Sequence, residues 1–300
     1  MTFQEGGNFD SSRVQRRSGG KAAIGGGVGV IALVLLSQLF GVDLTQFASL
    51  LDTTSTGTQS QSSDLTGCDT ADRANADDEC RYGWTMESLD AYWADTLDTQ
   101  TGVAYTMPRA VSFSGSVSTG CGSATSAVGP FYCPADETVY IDVSFYEVLR
   151  TDFGTTGGPL AQMYITAHEV GHHIEHITGV LGDADRGGSG ADSDSVRVEL
   201  MADCLAGMWA GAAATTPDPD TGRPFLEPIT DAQLRDALDA AAAVGDDRIQ
   251  EASGSSVDPH QFTHGSATQR QRWFTRGYER GSFDACNTFE VADLDLGADG

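Results

Sequence analysis

Five consecutive residues, His-Glu-Val-Gly-His at positions 168–172, constrain the fold of this chain more than any other part of its sequence. They lie in an apolar segment, 160–177, whose pattern predicts an α-helix. Helical residues four positions apart lie on one face about 5–6 Å apart, so His168 and His172 can reach one tetrahedral zinc ion. Glu169 projects about 100° around the helix from His168, where it can accept a proton from a water molecule on that ion.

A third zinc ligand is expected from a second helix, which the sequence predicts over 195–213. A catalytic zinc ion takes three protein ligands and keeps one position for water. Glu199 and Asp203 lie four positions apart and therefore face the same way. We expect Glu199 to complete the ligand set for one Zn²⁺ per chain, and Asp203 to accept a hydrogen bond from a ligand imidazole. The alternative is a solvated acidic pair, which is common in a chain with 43 acidic residues.

His264 is the candidate for a further catalytic group. Hydrolysis at such a zinc ion passes through an oxyanion, and a histidine, tyrosine or arginine often donates a hydrogen bond to it. We expect His264 to do so; the alternative is a histidine that contacts the entry of the helix that follows it. Tyr140 is a weaker candidate, and Arg270 is expected to form a structural ion pair. His173 and His176 are expected to support the site or to lie at the surface.

An uncharged run of 21 residues, 22–42, is the second strong constraint. As a helix it would span roughly 30 Å, the thickness of the hydrocarbon core of a bilayer. It predicts one transmembrane helix, with a cleaved signal peptide as the alternative. Basic residues precede the run, so the positive-inside rule puts the N-terminus in the cytoplasm and the rest of the chain outside. These basic residues are Arg13, Arg16, Arg17 and Lys21.

Six cysteines follow the uncharged run, and their even number predicts disulfide bonds. Two pairs have equal spacing, which favours one arrangement among the 15 that six cysteines allow. That arrangement joins Cys68 to Cys80, Cys121 to Cys133 and Cys204 to Cys286. The connectivity stays open at this point, because spacing alone does not decide it.

Several dispersed motifs resemble the neutral zinc metallopeptidase family of bacteria, also called the YpfJ-like family. They include Gly-Pro-Phe-Tyr-Cys-Pro-Ala-Asp at 129–136, Ala-His-Glu-Val-Gly-His-His at 167–173, Glu-Leu-Met-Ala-Asp-Cys at 199–204, Gly-Asp-Asp-Arg at 245–248 and Thr-His-Gly-Ser-Ala at 263–267. The resemblance implies a membrane-anchored zincin of the thermolysin-like, or gluzincin, type. It also implies an α+β fold in which a small sheet, the active helix and a second ligand helix form the site. Strand 138–145 would be an edge strand beside the active helix, to which a peptide adds as a further strand.

The expected organisation has five parts. Residues 1–21 form a disordered cytoplasmic tail, 22–42 the transmembrane helix and 43–67 a polar linker. Residues 68–290 form the zinc metallopeptidase domain, outside the membrane. Residues 291–300 form an acidic disordered tail.

The function expected from these features is hydrolysis of peptide bonds in a peptide or protein substrate. His168, His172 and Glu199 would hold the zinc ion and Glu169 would act as general base. A non-proteolytic zinc-binding envelope scaffold and a zinc hydrolase acting on a non-peptide amide are the alternatives. The presence of Glu169 favours an enzyme, since a structural zinc site needs no base. A net charge of −26 argues against nucleic acid as a partner, because nucleic acids bind to basic surfaces.

Overall fold

The computed structural model describes residues 2–7, 9–18, 61–152 and 154–295, which form a mixed α/β fold. The α-helices are Ala71–Ala76 (α1), Asp78–Thr101 (α2), Phe145–Thr151 (α3), Pro159–Ile177 (α4), Val180–Asp183 (α5), Asp194–Ala212 (α6), Asp231–Ala243 (α7), Asp246–Ala252 (α8) and Ala267–Arg280 (α9). The strands are Gln15–Ser18 (β1), Gln61–Asp64 (β2), Arg109–Ser114 (β3), Ser116–Thr119 (β4), Gly122–Thr125 (β5), Phe131–Cys133 (β6) and Thr138–Ile141 (β7).

Five strands form one mixed sheet in the order β2-β1-β3-β7-β6. The pairs β1–β3 and β3–β7 are parallel, whereas β2 and β6 pair antiparallel with their neighbours. Side chains alternate between the two faces of β3, as the period of a strand requires. Val111 and Phe113 pack under the hairpin β4–β5, whereas Ala110 joins the larger core that contains α2, α4 and α6. The sheet therefore has a hairpin on one face and the main helices on the other.

The predicted edge strand 138–145 is corrected by this strand order. β7 ends at Ile141 and lies inside the sheet, between β3 and β6. All four of its residues are buried. Within the described chain, β6 is the strand at this edge, and it contacts α4. The edge strand next to the active helix therefore begins at Phe131, seven residues before the start of the predicted edge strand.

The predicted fold class, an α+β domain behind a transmembrane helix, is wrong. The sheet is mixed, and one of its interior strands, β1, comes from the segment before the uncharged run. In the part of the chain that the structure describes, no helix is both long and apolar enough to cross a membrane. The predicted span 22–42 lies outside that part.

The N-terminal segment 2–18 packs on the domain, which corrects the predicted disordered tail for the residues described there. Phe3 and Phe9 are buried against the indole of Trp84, with ring centroids 5.4 and 6.5 Å away. Arg13 forms a nearly buried ion pair with Asp90, with Nε 2.6 Å from Oδ2. These contacts anchor the segment at both an apolar and a charged position.

Strand pairing joins the N-terminal segment to the sheet. β1 is hydrogen bonded to β3 over its full length, from Gln15 opposite Val111 to Ser18 opposite Ser114. The predicted location, with the N-terminus in the cytoplasm and the rest of the chain outside, stays a prediction.

Two further boundaries differ from those expected. The predicted linker 43–67 includes β2 and the fully buried Leu65. Near the C-terminus, Leu294 is buried and its carbonyl accepts a hydrogen bond from the indole of Trp273 at 3.2 Å. The described residues 291–295 therefore pack on the domain.

The six cysteines form three disulfide bonds. They join Cys68 to Cys80, Cys121 to Cys133 and Cys204 to Cys286, the arrangement that the equal spacing favours. Cys121–Cys133 connects the hairpin β4–β5 to the edge strand β6, and Cys204–Cys286 connects α6 to the C-terminal region.

Candidate metal centre

Helix α4 passes very close to α6 at Gly171. A Cβ atom at this position would lie 2.9 Å from both the Cα atom and the carbonyl oxygen of Ala202, so only glycine permits the approach. Ala202 lies one turn after Glu199 on α6. The close contact therefore brings Glu199 opposite the two histidines of α4.

Three side chains converge between these helices. His168, His172 and Glu199 are 7%, 8% and 3% exposed. Nε2 of His168 lies 3.3 Å from Oε2 of Glu199, and Nε2 of His172 lies 3.5 Å from Oε1. One ligand atom from each residue lies within 4.8 Å of the other two, so a single ion can contact all three.

The hydrogen bonds of the imidazoles leave both Nε2 atoms free to bind a metal. Nδ1 of His168 is 2.9 Å from Oδ1 of Asp203. Nδ1 of His172 is 2.8 Å from Oε2 of Glu175. A carboxylate accepts hydrogen bonds, so in the neutral rings Nδ1 carries the hydrogen and the Nε2 lone pairs face Glu199. Lone pairs that face carboxylate oxygens repel one another unless a cation lies between them, and two imidazoles with one carboxylate fit zinc.

Glu175 is a residue of this site that sequence analysis does not single out. It lies three positions after His172 on the same helix, and its side chain is fully buried. The signal that could have found it is this spacing, since residues three apart on a helix are neighbours. In a chain rich in acidic residues, the spacing alone does not separate a buried partner from a solvated one.

Glu169, the expected base, is buried in the same cleft at 8% exposure. Burial is the main cause that raises its pKa, to about 7, and the charge of Glu199 acts in the same direction. The charge of His168 and a hydrogen bond from the backbone N–H of Tyr132 oppose this rise. Tyr132 belongs to β6 and lines the same cleft as Glu169, so the edge strand borders the base.

His264 lies in the cleft and is held there by Asp246. Its Nδ1 atom is 3.1 Å from Oδ1 of Asp246. The other oxygen, Oδ2, accepts the backbone N–H groups of Thr263, His264 and Gly265 at 2.6, 2.7 and 3.0 Å. Asp246 belongs to the Gly-Asp-Asp-Arg motif at 245–248, for which the sequence indicates no role. Its function here is to fix both the loop and the imidazole.

Comparison with known proteins agrees with this geometry. A family model described as "Putative neutral zinc metallopeptidase" matches residues 3–289. The chain belongs to this family. The resemblance indicated by the sequence motifs is thereby confirmed.

Two relatives show how far the zinc metallopeptidase similarity extends. The Mycobacterium tuberculosis protein Rv2575 is 51% identical over 231 residues, which cover 77% of each chain. The Escherichia coli protein YpfJ is 35% identical over 305 residues, which cover 96% of this chain and 99% of YpfJ. No solved structure matches the chain significantly.

In this metallopeptidase family member, the surroundings of the two candidate metal-binding histidines shift their pKa values in opposite directions. Burial lowers the pKa of His172 to about 3. Burial acts on His168 in the same direction, but the carboxylates of Asp203 and Glu199 outweigh it and raise its pKa to about 10. In the metal-free chain one proton is therefore held between His168 and its carboxylates. A divalent cation at the same place would displace that proton.

Arg270 balances the charge of the buried carboxylates. Its Nε and Nη2 atoms donate to the two oxygens of Asp203 at 2.7 and 2.9 Å, and Nη2 lies 3.9 Å from Glu199. The expected ion pair of Arg270 is thus present, and its partner is the carboxylate that holds His168. Tyr164 also donates to Asp203. The arrangement fixes Asp203 as an acceptor for the ligand imidazole.

Three other candidate residues point away from the metal site. Tyr140 lies on the far face of the sheet, where its hydroxyl donates to Asp136 at 2.8 Å. His176 lies near the surface, 3.8 Å from Glu137. His173 is fully buried and contacts Tyr132 of the edge strand.

Replacing Glu199 with alanine should weaken zinc binding by at least about a hundredfold, because even groups that only orient a ligand contribute about 10–100-fold to affinity. The measurement is zinc affinity by competition with a chelator of known affinity, together with zinc per chain. Glu251→Ala is the matched control, since it removes an equal charge from an exposed position. Equal zinc affinity for wild type and Glu199→Ala would contradict the ligand assignment.

Proposed function

We propose that this chain is a zinc-dependent peptidase whose metal ligands are His168, His172 and Glu199. The observation that carries the proposal is the convergence of two Nε2 lone pairs and a carboxylate, with Glu169 in the same cleft. A structural zinc site is closed by four protein ligands and needs neither a buried base nor an open cavity, whereas three ligands leave a position for water.

The metal-binding and proton-transfer roles are assigned to groups that line the cleft, and the orienting roles to carboxylates behind them. Zinc held by these ligands would polarise the scissile carbonyl and lower the pKa of the attacking water. Glu169 accepts the proton that this water loses, and a pKa raised toward neutrality suits that task. The same carboxyl group then donates the proton to the leaving amine. Asp203 and Glu175 keep the two ligand imidazoles in the required tautomer.

His264 stabilises the oxyanion that forms when water attacks. Burial acts to lower its pKa, but the charges of Glu199 and Asp246 outweigh burial and raise it. These charges favour the protonated imidazole, and in that form Nε2 can donate a charge-assisted hydrogen bond. This role is the one expected from the sequence, with Asp246 added as the group that holds the ring.

The substrate is a peptide in extended conformation with an apolar side chain beside the scissile bond. The free edge of β6 offers backbone groups to which an extended chain can add as a further strand. The cavity next to it has a volume of about 330 Å³. Its apolar lining includes Val128, Phe131, Phe145, Ile165, Val244 and Ile249. This lining favours aliphatic and aromatic side chains over charged ones.

A mixed peptide library tests the proposal directly. We expect the zinc-loaded full-length chain to cleave peptides next to apolar residues, to lose this activity when zinc is removed by a chelator, and to regain it when zinc is added. Cleavage sites are read by mass spectrometry. Cleavage that survives complete removal of the metal would contradict the proposal. A zinc-loaded chain that cleaves no peptide would favour the scaffold, or a hydrolase for other amides.

A further inference from the structure

His173, the residue after the second metal-binding histidine, uses both ring nitrogens in buried hydrogen bonds. Its side chain is 0% exposed. Nε2 lies 2.6 Å from the carbonyl oxygen of Thr106, and Nδ1 lies 3.0 Å from the hydroxyl oxygen of Tyr132. A carbonyl only accepts, so Nε2 carries the hydrogen. Nδ1 of the neutral ring is then the acceptor for the Tyr132 hydroxyl.

Tyr132 connects His173 to the catalytic cleft. Its hydroxyl donates to His173 on α4, and Tyr132 lines the same cleft as Glu169. In the antiparallel pair β6–β7, Phe131 is opposite Tyr140 and Cys133 is opposite Thr138. Hydrogen-bonded and non-hydrogen-bonded pairs alternate along such a pair, so the backbone groups of Tyr132, between these two residues, face the edge of β6 that is away from β7. One residue thus holds a hydrogen bond to the active helix and also belongs to the strand that borders the cleft.

We propose that His173 is a positioning residue that, through Tyr132, holds the edge strand β6 at the distance from α4 at which a substrate backbone binds. This inference rests on the proposed peptidase function. His173 contacts neither the metal ligands' donor atoms nor the cleft, and its effect passes through one hydrogen bond. β6 has only three residues and, in the described part of the chain, pairs with β7 alone; the disulfide bond of Cys133 fixes one end of the strand, and the hydrogen bond of Tyr132 fixes its middle to α4.

The position of β6 affects substrate binding before it affects the chemical step. Loss of the hydrogen bond frees the strand to shift, and the substrate must then order it on binding. We expect KM to rise, while the metal ligands and Glu169 remain on the rigid helices. A buried hydrogen bond contributes about 1 kcal/mol, which corresponds to roughly a fivefold change.

Tyr132→Phe in the full-length zinc-loaded chain is the direct test, because it removes only the hydroxyl group. We expect KM for a cleaved peptide to rise roughly fivefold, with kcat changed much less and zinc content unchanged. The matched control is Tyr105→Phe. The Tyr105 ring also packs against His173, at 6.1 Å between centroids, but its hydroxyl donates to Asp90 at 2.7 Å. This control should leave KM unchanged.

A second variant, His173→Phe, keeps the test informative if one substitution disturbs folding. When both residues act through one bond, Tyr132→Phe should add little to KM in the His173→Phe background. An unchanged KM in an active Tyr132→Phe chain would overturn this inference alone. So would a loss of zinc from Tyr132→Phe large enough to explain its whole loss of activity. A wild-type chain that holds zinc and cleaves no peptide would overturn the proposed function, and this inference with it.

Discussion

Replacing Glu169 with glutamine should lower kcat about a thousandfold, within the range that general acid–base catalysis contributes. Glutamine has nearly the same shape as glutamate but cannot accept the proton of the attacking water. The zinc ligands are not altered, so zinc per chain should stay at the wild-type value. Peptide cleavage and zinc content are measured on the same preparation. Glu251→Gln is the matched control, because it makes the same chemical change at an exposed position that does not contact the cleft.

The pH dependence of kcat/KM gives a second readout of Glu169. A base acts in its deprotonated form, so protonation at low pH removes activity. Burial raises the pKa of Glu169 to about 7 in the metal-free chain, and the positive charge of a bound zinc ion would lower it from there. Wild-type kcat/KM should therefore fall about tenfold per pH unit below that pKa. Equal kcat in Glu169→Gln and wild type, with zinc retained at each pH, would contradict the assignment of the base.

The candidate metal site shows which contacts a sequence can predict. His168, His172 and Glu199, with Asp203, lie on two helices whose spacing and sequence motifs are local, and the structure brings them together. Two supporting residues come from other parts of the chain: Asp246, which holds His264, is the first residue of α8, and Tyr132 lies in the edge strand β6. Their positions depend on loop and strand packing, which no local pattern describes.

The sheet shows a different limit. The strand predicted over 138–145 is present over 138–141, but its neighbours in the sheet are not predicted, because strand order depends on contacts between distant segments. The N-terminal segment was expected to be disordered since it is polar and rich in glycine and serine. Its order comes from a few buried side chains, mainly Phe3, Phe9 and Val14, whose partners lie on α2 and in the sheet. Composition averages over such isolated anchors and therefore does not detect them.

Replacing Phe9 with alanine should lower the free energy of unfolding by about 3 kcal/mol, the usual cost of removing a buried phenylalanine ring. Phe9 is 6% exposed, and its ring stacks on Trp84 at an interplanar angle of 16°. A loss of this size is a large part of the stability of a typical domain, about 5–15 kcal/mol. Urea unfolding of the full-length chain measures it. An unchanged free energy of unfolding would show that the N-terminal segment does not pack on α2.

Gly83→Ala tests the same packing through the sign of its effect. Alanine in place of glycine within a helix ordinarily stabilises it by about 1 kcal/mol. Here a Cβ atom would lie 2.5 Å from Cζ of Phe9, so we expect alanine to destabilise the chain instead. Gly182→Ala, where no atom lies within 4 Å of the added Cβ, is the control without a clash. In the Phe9→Ala background, Gly83→Ala should lose most of its cost, because the clashing ring is gone. A chain stabilised by Gly83→Ala alone would place the N-terminal segment away from α2, as a membrane between them would require.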